Sequence, residues 1–376
     1  MKRKFSAWGL VGFMVFVLIS GLVLGCTEPA PAPASAPTPA PTPAPAPAPT
    51  PTPAPAPAAP AGQIVWRLDH MWGETDQEHI YLAQAADEIL EYTEGRLKID
   101  IYPHFSLGLN PTTPYSNMRD GLCEVAVIFV QIAEGEEPSF AVTEATGIWD
   151  SKEQVAEAVE ALIPFKQKTY QEVWGSHYVT TEYMTVQLSE VFSNTEDLPT
   201  IEDFKGFKVR TPSARQQEIF LSLGAAPQLM KLSDVYMGLK TGLVDGVSSS
   251  SRSAYTSKWY EVLKSATTLT TTEAGALDVV VSQKAWDALP DDIKEVVNTV
   301  FEGVHQRSKV MAVNPGISSH YRRVLSDMGM KYFELSAADL AKYREACWKV
   351  QDKYIATATP RTKEAWEIIK PIVLGK

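Results

Sequence analysis

From Gln63 onward the chain alternates two kinds of apolar pattern. Residues 64–69, 97–102, 125–130, 177–187 and 276–282 are short runs that alternate or are apolar throughout, the signature of strands. Between them lie longer stretches with a helical period. Ile80, Ala83, Ala86, Ile89 and Leu90 share one helical face, in a segment that Thr75-Asp-Gln-Glu78 opens as a capping box and that runs to about residue 92. Ser151-Lys-Glu-Gln154 opens a second helix, to about residue 173, and Ser213-Ala-Arg-Gln216 a third. A short helix is expected near 113–120. Pro290 opens a long helical region to about residue 311. A helix at 316–328, a strand at 331–334 and a helix from Ser336 to about residue 355 follow. This alternation predicts an α/β fold, and no internal repeat is present.

The stretch 204–246 is denser in signals than any other. Phe-Lys-Gly-Phe-Lys-Val-Arg-Thr-Pro reads as a short strand that ends at Arg210 and is stopped by Pro212. Gly224 turns the chain into another short strand. A helix opened by Ser233 and closed by Gly242 leads to a strand around 244–247.

The N-terminus changes the compartment. Met1-Lys2-Arg3-Lys4 is followed by an uncharged run from Trp8 to Gly25 and then Cys26. A basic start, an apolar stretch and a small residue before cysteine form a secretory signal. Val23-Leu24-Gly25-Cys26 fits a bacterial lipobox, so residues 1–25 are expected to be removed and Cys26 lipidated; an uncleaved anchor is the alternative. Residues 29–61 are almost only Pro, Ala and Thr. Such a segment favours an extended polyproline II form without a core and, at ~3.1 Å per residue, reaches on the order of 100 Å. Residues 26–62 are therefore expected to tether a globular domain to a membrane.

The remaining 314 residues exceed what one hydrophobic core commonly serves, so two lobes are expected. The whole chain carries −11; dropping Lys2, Arg3, Lys4 and Glu28 takes the domain to −13. That balance argues against nucleic acid as a partner. It does not argue against an anionic ligand, because one buried arginine can dominate a pocket. Cys123 and Cys347 lie in apolar segments and are expected to be buried free thiols. Catalytic signatures are missing: there is no Gly-x-Ser-x-Gly, no His-Glu-x-x-His and no phosphate loop, and the six histidines lack a metal-ligand spacing. No cofactor and no metal is expected.

The 204–246 stretch resembles the substrate-binding proteins of TRAP transporters (tripartite ATP-independent periplasmic, dicarboxylate-binding type). Further matches are Gly95-Arg96-Leu97-Lys98-Ile99 with Tyr102-Pro103, Met118-Arg119-Asp120-Gly121, Lys258-Trp259-Tyr260-Glu261-Val262, and the run from Val280 to Pro290. In order and together they cover the chain from Trp66 nearly to the C-terminus. The resemblance implies a two-lobe fold of the periplasmic-binding-protein kind with a ligand cleft between lobes and segments crossing between them. Lobe one is expected to take 63–187 and 276–312, lobe two 188–275 and 313–376.

It also implies site residues. The family's strand-end arginine grips the solute carboxylate, and Arg210 matches it. A planar, always-charged fork is suited to that task because it offers two parallel hydrogen bonds. Where relatives carry an asparagine after Asp-Gly, this chain has Ser249. Where many carry a second arginine, it has Glu190, which reverses the charge and suits a zwitterion or an amine-bearing acid, or else points to solvent. His70 and Trp72 after the first strand, Phe129 and Gln131 after the third, and Tyr236 from the second lobe complete the candidates; for each aromatic, core packing is an equal reading. The implied function is an extracytoplasmic receptor that captures a small organic acid and hands it to ion-gradient-driven permease subunits. A tethered hydrolase on the same fold, or a solute receptor for signalling, are the alternatives.

Overall fold

A computed structural model describes residues 62–184, 187–273 and 275–376. The expected signal sequence, Cys26 and nearly all of the proline-rich tether lie outside the described residues. Three groups of elements follow in order. The first is β1 (Ile64–Asp69), α1 (Gln77–Tyr92), β2 (Leu97–Tyr102), α2 (Pro114–Arg119), β3 (Val125–Phe129), α3 (Lys152–Trp174) and β4 (Ser176–Tyr183). The second is β5 (Gln187–Ser193), β6 (Val209–Thr211), α4 (Ala214–Ser222), β7 (Gln228–Leu229), α5 (Val235–Thr241), β8 (Gly246–Ser249), α6 (Ser251–Thr256) and β9 (Ser265–Glu273). The third is β10 (Ala276–Ser282), α7 (Gln283–Asp287), α8 (Asp291–Val313), α9 (Pro315–Asp327), β11 (Lys331–Glu334), α10 (Ala337–Thr357) and α11 (Pro360–Val373).

Two sheets organise these elements into two α/β lobes. One has the order β2-β1-β3-β10-β4, the other β11-β9-β5-β8-β6-β7. In each sheet some strands run parallel and a long antiparallel strand arrives from the other side, β10 in the first and β5 in the second. The chain crosses between sheets from β4 to β5, back from β9 to β10, and again at Asn314, where α8 ends and α9 begins. α11 then lies on α3, where Gln154 Nε2 donates to the carbonyls of Ile372 and Val373. The last helix of the segment expected in lobe two thus rests on lobe one.

The expected 177–187 strand divides. β4 stops at Tyr183 and β5 starts at Gln187 in the other sheet, so an uninterrupted apolar pattern hides a change of lobe. The capping box read at Thr75 also differs. The helix begins at Gln77 after Asp76, whose side chain accepts from Gly73 N–H instead of capping, and Glu78 is drawn to an arginine of the other lobe. The boxes at Ser151 and Ser213 do cap, each accepting from the backbone N–H three residues on. Gly246 is required by packing: a Cβ there would stand 2.1 Å from the Phe192 carbonyl oxygen.

Cores form on both sides of each sheet. One cluster gathers Trp66, Leu82, Val127, Leu277 and Phe301 under α1 and α8, and another gathers Phe192, Val247, Trp259 and Leu325 under α5, α6 and α9. The largest runs from Ile128 and Leu162 to Val209, Ile219, Tyr343 and Trp366, and so spans both lobes. Cys123 and Cys347 are buried and free, and burial pushes both thiols up to about 12. Inside the first lobe Asp278 of β10 is wholly buried. It accepts from Lys166 Nζ at 2.9 Å, Tyr170 Oη at 2.8 Å and Thr181 Oγ1 at 2.9 Å, which ties α3 and β4 to the sheet. Removing the cation strands a desolvated carboxylate. Lys166→Met is therefore expected to destabilise the fold by about 3–5 kcal/mol, as read from urea denaturation. A loss below about 1 kcal/mol, the range of exposed ion pairs, would contradict that account.

Candidate functional site

The site is built where strand ends of the two sheets meet across the lobe boundary. In the first sheet, β1 and β3 are parallel and end at one edge. β10, antiparallel to β3, begins there, and β4, which runs in the same direction as β3, finishes there. Phe129 is in register with Leu277, and Leu277 with Glu182, so these three side chains form one row on one face. Phe129 and Gln131 are half-buried at this edge. The connection after β2 folds over it with His104 and Phe105 at φ 55° and 53°, the left-handed region that side chains rarely occupy. Backbone bonds from His104 to Trp72 and from Phe105 to His70 hold that turn onto the end of β1.

His70 is buried, and both its ring nitrogens are engaged within this lobe. Nδ1 accepts from the Trp72 N–H at 3.1 Å, which leaves the proton on Nε2, 3.0 Å from His79 Nδ1. Burial, with His79 and His104 nearby, lowers its pKa to about 4. It is a neutral ring that orients the 70–73 turn. Trp72 is 8% exposed and belongs to the core beneath α1.

In the second sheet, Arg210 of β6 pairs with Val247 of β8, and Glu190 of β5 pairs with Ser249 two residues further along. Arg210, Ser249 and Glu190 therefore lie on one face. Arg210 is 5% exposed, and its Nε donates to the Met230 carbonyl at 2.9 Å, which fixes the plane of the guanidinium. Glu190 does not point to solvent. It is fully buried, accepts from Ser251 Oγ at 2.6 Å, and lies 3.4 Å from Arg322 Nε of α9. Tyr236 faces another way: its hydroxyl donates to the exposed Glu261, and Lys240 Nζ lies 5.9 Å from its ring. The structure thus brings Arg210, Ser249 and Glu190 to one sheet face and Phe129 and Gln131 to the opposing edge. His70 and Trp72 stand behind that edge, and Tyr236 is turned toward Glu261.

The helices that start at these strand ends reach across the boundary. Arg252, in the first turn of α6, sets both terminal nitrogens on Glu78 of α1 at 2.7 Å and comes within 3.5 Å of Asp76. Arg215, in the first turn of α4, donates to the Ala141 carbonyl, pairs with Glu134 at 3.2 Å and stacks over Tyr354. Gln216 donates to Thr146 and accepts from Ser248. Glu182 stands beside the Arg252 clasp, wholly buried. Arg252, Glu78, Arg215 and Glu182 are missed by sequence reasoning. Glu78 looks like a capping residue and Glu182 like one polar position in a strand, and only the long-range pairing distinguishes them.

Two α/β lobes stitched at opposed strand ends, with a buried arginine at one of those ends, define a solute receptor of the periplasmic-binding class. The chain matches the family described as bacterial extracellular solute-binding protein, family 7, over residues 68–357, and belongs to that family, the solute-binding proteins of TRAP transporters. It is 25% identical over 281 residues to the sialic acid-binding periplasmic protein of Vibrio cholerae, covering 69% of this chain and 79% of that one. The fold is similar to that of a Bordetella pertussis extracytoplasmic solute receptor binding pyroglutamic acid. The TM-score is 0.73 at 16% identity, over 82% of this chain and 99% of that one. It is equally similar, with a TM-score of 0.73 at 21% identity over 83% and 99%, to a Desulfovibrio salexigens TRAP solute-binding protein with bound orotic acid.

Glu190 carries a pH signature. Burial pushes its carboxyl from 4.5 up to about 7, and the Ser251 hydroxyl and Arg322 only partly offset this. The folded chain holds this proton more tightly than the unfolded one. The contribution is complete below about pH 4.5 and is lost as the pH rises through about 7. Glu190→Gln removes it, so the stability of the wild type relative to this variant is expected to fall between about pH 5 and pH 8. Urea melts of both proteins at the two pH values measure it, and parallel pH slopes would refute the assignment.

Proposed function

We propose that this protein is an extracytoplasmic receptor that closes its lobes on a small organic acid and delivers it to an ion-gradient-driven TRAP permease. The observation that carries the reading is Arg210: a buried guanidinium, held in plane by a backbone carbonyl, at a strand end on the lobe boundary. A desolvated carboxylate needs a fixed fork of this kind. The acids bound by structural relatives, pyroglutamic and orotic acid, agree with it, as does the C4-dicarboxylate named for the Rhodobacter capsulatus relative. Ser249 lies on the same face and supplies a hydroxyl to the solute; Phe129 and Gln131 close from the other lobe.

Lobe one takes 63–187 with 276–312, and lobe two 188–275 with 313–376, apart from the resting place of α11. Closure is a hinge motion of one lobe against the other, driven by contacts that a solute makes to both lobes at once. A thermal-shift screen of organic acids tests the reading, because a true ligand at 100 times its Kd adds about 2.7 kcal/mol. On the acid so found, Arg210→Ala is expected to lose about 2–5 kcal/mol, roughly thirtyfold to several-thousandfold in affinity by calorimetry. Arg210→Lys is expected to be poor as well, since a point charge does not reproduce the fork. Affinity near wild type in Arg210→Ala would end the carboxylate reading.

The reading includes a lipid at Cys26, with residues 26–62 as the tether. Its support is the Leu-Gly-Cys sequence after an apolar run. Cys26→Ser is expected to move the protein out of the detergent phase and to abolish lipid labelling. Retention of label in that variant would exclude the anchor.

A further inference from the structure

Glu182 is a carboxylate without a counterpart. It is fully buried in β4, and neither of its oxygens has a hydrogen-bond partner. The groups that face it are Glu78 and Tyr81 from α1 and Arg252 from α6. Arg252 sets both terminal nitrogens on Glu78 and lies close to Asp76. Three carboxylates thus share one guanidinium, and the one left over is the most buried. A carboxylate so placed either keeps a proton or receives a cation.

Its position along the sheet puts it beside an arginine of the other lobe. Glu182 is the last residue but one of β4, and it continues the row that starts with half-buried Phe129 and passes through Leu277. That row ends the first sheet on the side where Arg252 crosses from the second lobe. Glu182 therefore lies at the lobe boundary, opposite the sheet that carries Arg210. Glu190, the acidic residue that the sequence offers for this role, is already held by Ser251 and Arg322.

We propose that Glu182 receives a protonated amine of the solute, so that the receptor takes an amino or imino acid whose carboxylate sits at Arg210. The proposal rests on the carboxylate reading above. Burial first, and then neighbouring Glu78, raise the Glu182 carboxyl well above the usual carboxylate range, with Arg252 opposing. An arriving ammonium replaces the carboxyl proton, which leaves to solvent, so binding of the amine releases a proton.

Matched acids test this by calorimetry on the full chain in detergent: L-proline against tetrahydrofuran-2-carboxylate, and L-glutamate against 2-hydroxyglutarate. The amine-bearing member of a pair is expected to bind at least about tenfold more tightly. Buffers of different ionisation enthalpy are expected to report proton release when the amine-bearing member binds. Glu182→Gln is expected to cost the amine-bearing acid about tenfold to a hundredfold, to abolish the proton release, and to leave its oxygen analogue unaffected. Glu182→Leu, with folding checked by circular dichroism, is expected to do the same. Equal affinities within each pair, or a preference that survives in Glu182→Gln, overturn the inference. Binding of amine-free acids alone, in these pairs or in the screen, sinks it while the carboxylate reading stands; a screen whose ligands carry no carboxylate sinks both.

Discussion

The two lobes are held to one another by side chains that begin where β6 and β8 end. Arg252 follows Ser249 by three residues, and Arg215 follows Arg210 by five. Each leaves the first turn of its helix for an acceptor in the other lobe, Glu78 or the 134–141 segment. The positions of β6 and β8 relative to the first sheet are thereby coupled to these pairs. The bidentate form of the Arg252–Glu78 contact matters because it fixes an orientation as well as a distance. Both partners are largely shielded from water, so the contact is either made well or is costly to leave unmade.

Much of the fold was legible because local and global signals agree. β1, β2, β10 and β11 match their apolar runs to the residue, and Ser151, Ser213 and Ser336 cap the helices they announce. The hidden parts are those where a long-range partner decides. β9 is Ser-Ala-Thr-Thr-Leu-Thr-Thr-Thr-Glu, β-branched but hydroxylated, and its two aliphatic residues, Ala266 and Leu269, go to different core clusters. The break between β4 and β5 lacks a proline or glycine. The short strand that ends at Arg210 was readable from its motif, whereas Glu190 changed meaning once Arg322 came to it from more than a hundred residues away. Tyr236 carries the same lesson, because an aromatic on a helix near the motif serves equally well to pack and to bond Glu261.

Buried charge is distributed unevenly between the lobes' interiors and their boundary. Asp278 has a cation and two hydroxyls, which makes it a structural tie. Asp69, at the end of β1, has an oxygen with no partner and is pushed up to about 6 by burial. Glu182 has no partner at either oxygen. Asp278 is thus satisfied by its neighbours, whereas Asp69 and Glu182, near strand ends of the same sheet, are not.

The two cysteines have a practical meaning. Reactivity belongs to the thiolate, and a thiol shifted to about 12 and closed off from solvent presents almost none near neutral pH. The globular part of the chain is therefore chemically silent toward maleimides and nitroxide reagents while it stays folded. One cysteine introduced at an exposed position on each lobe would carry a fluorophore or spin label without background from Cys123 or Cys347. The separation of the two lobes is thereby accessible to distance spectroscopy without removing Cys123 or Cys347.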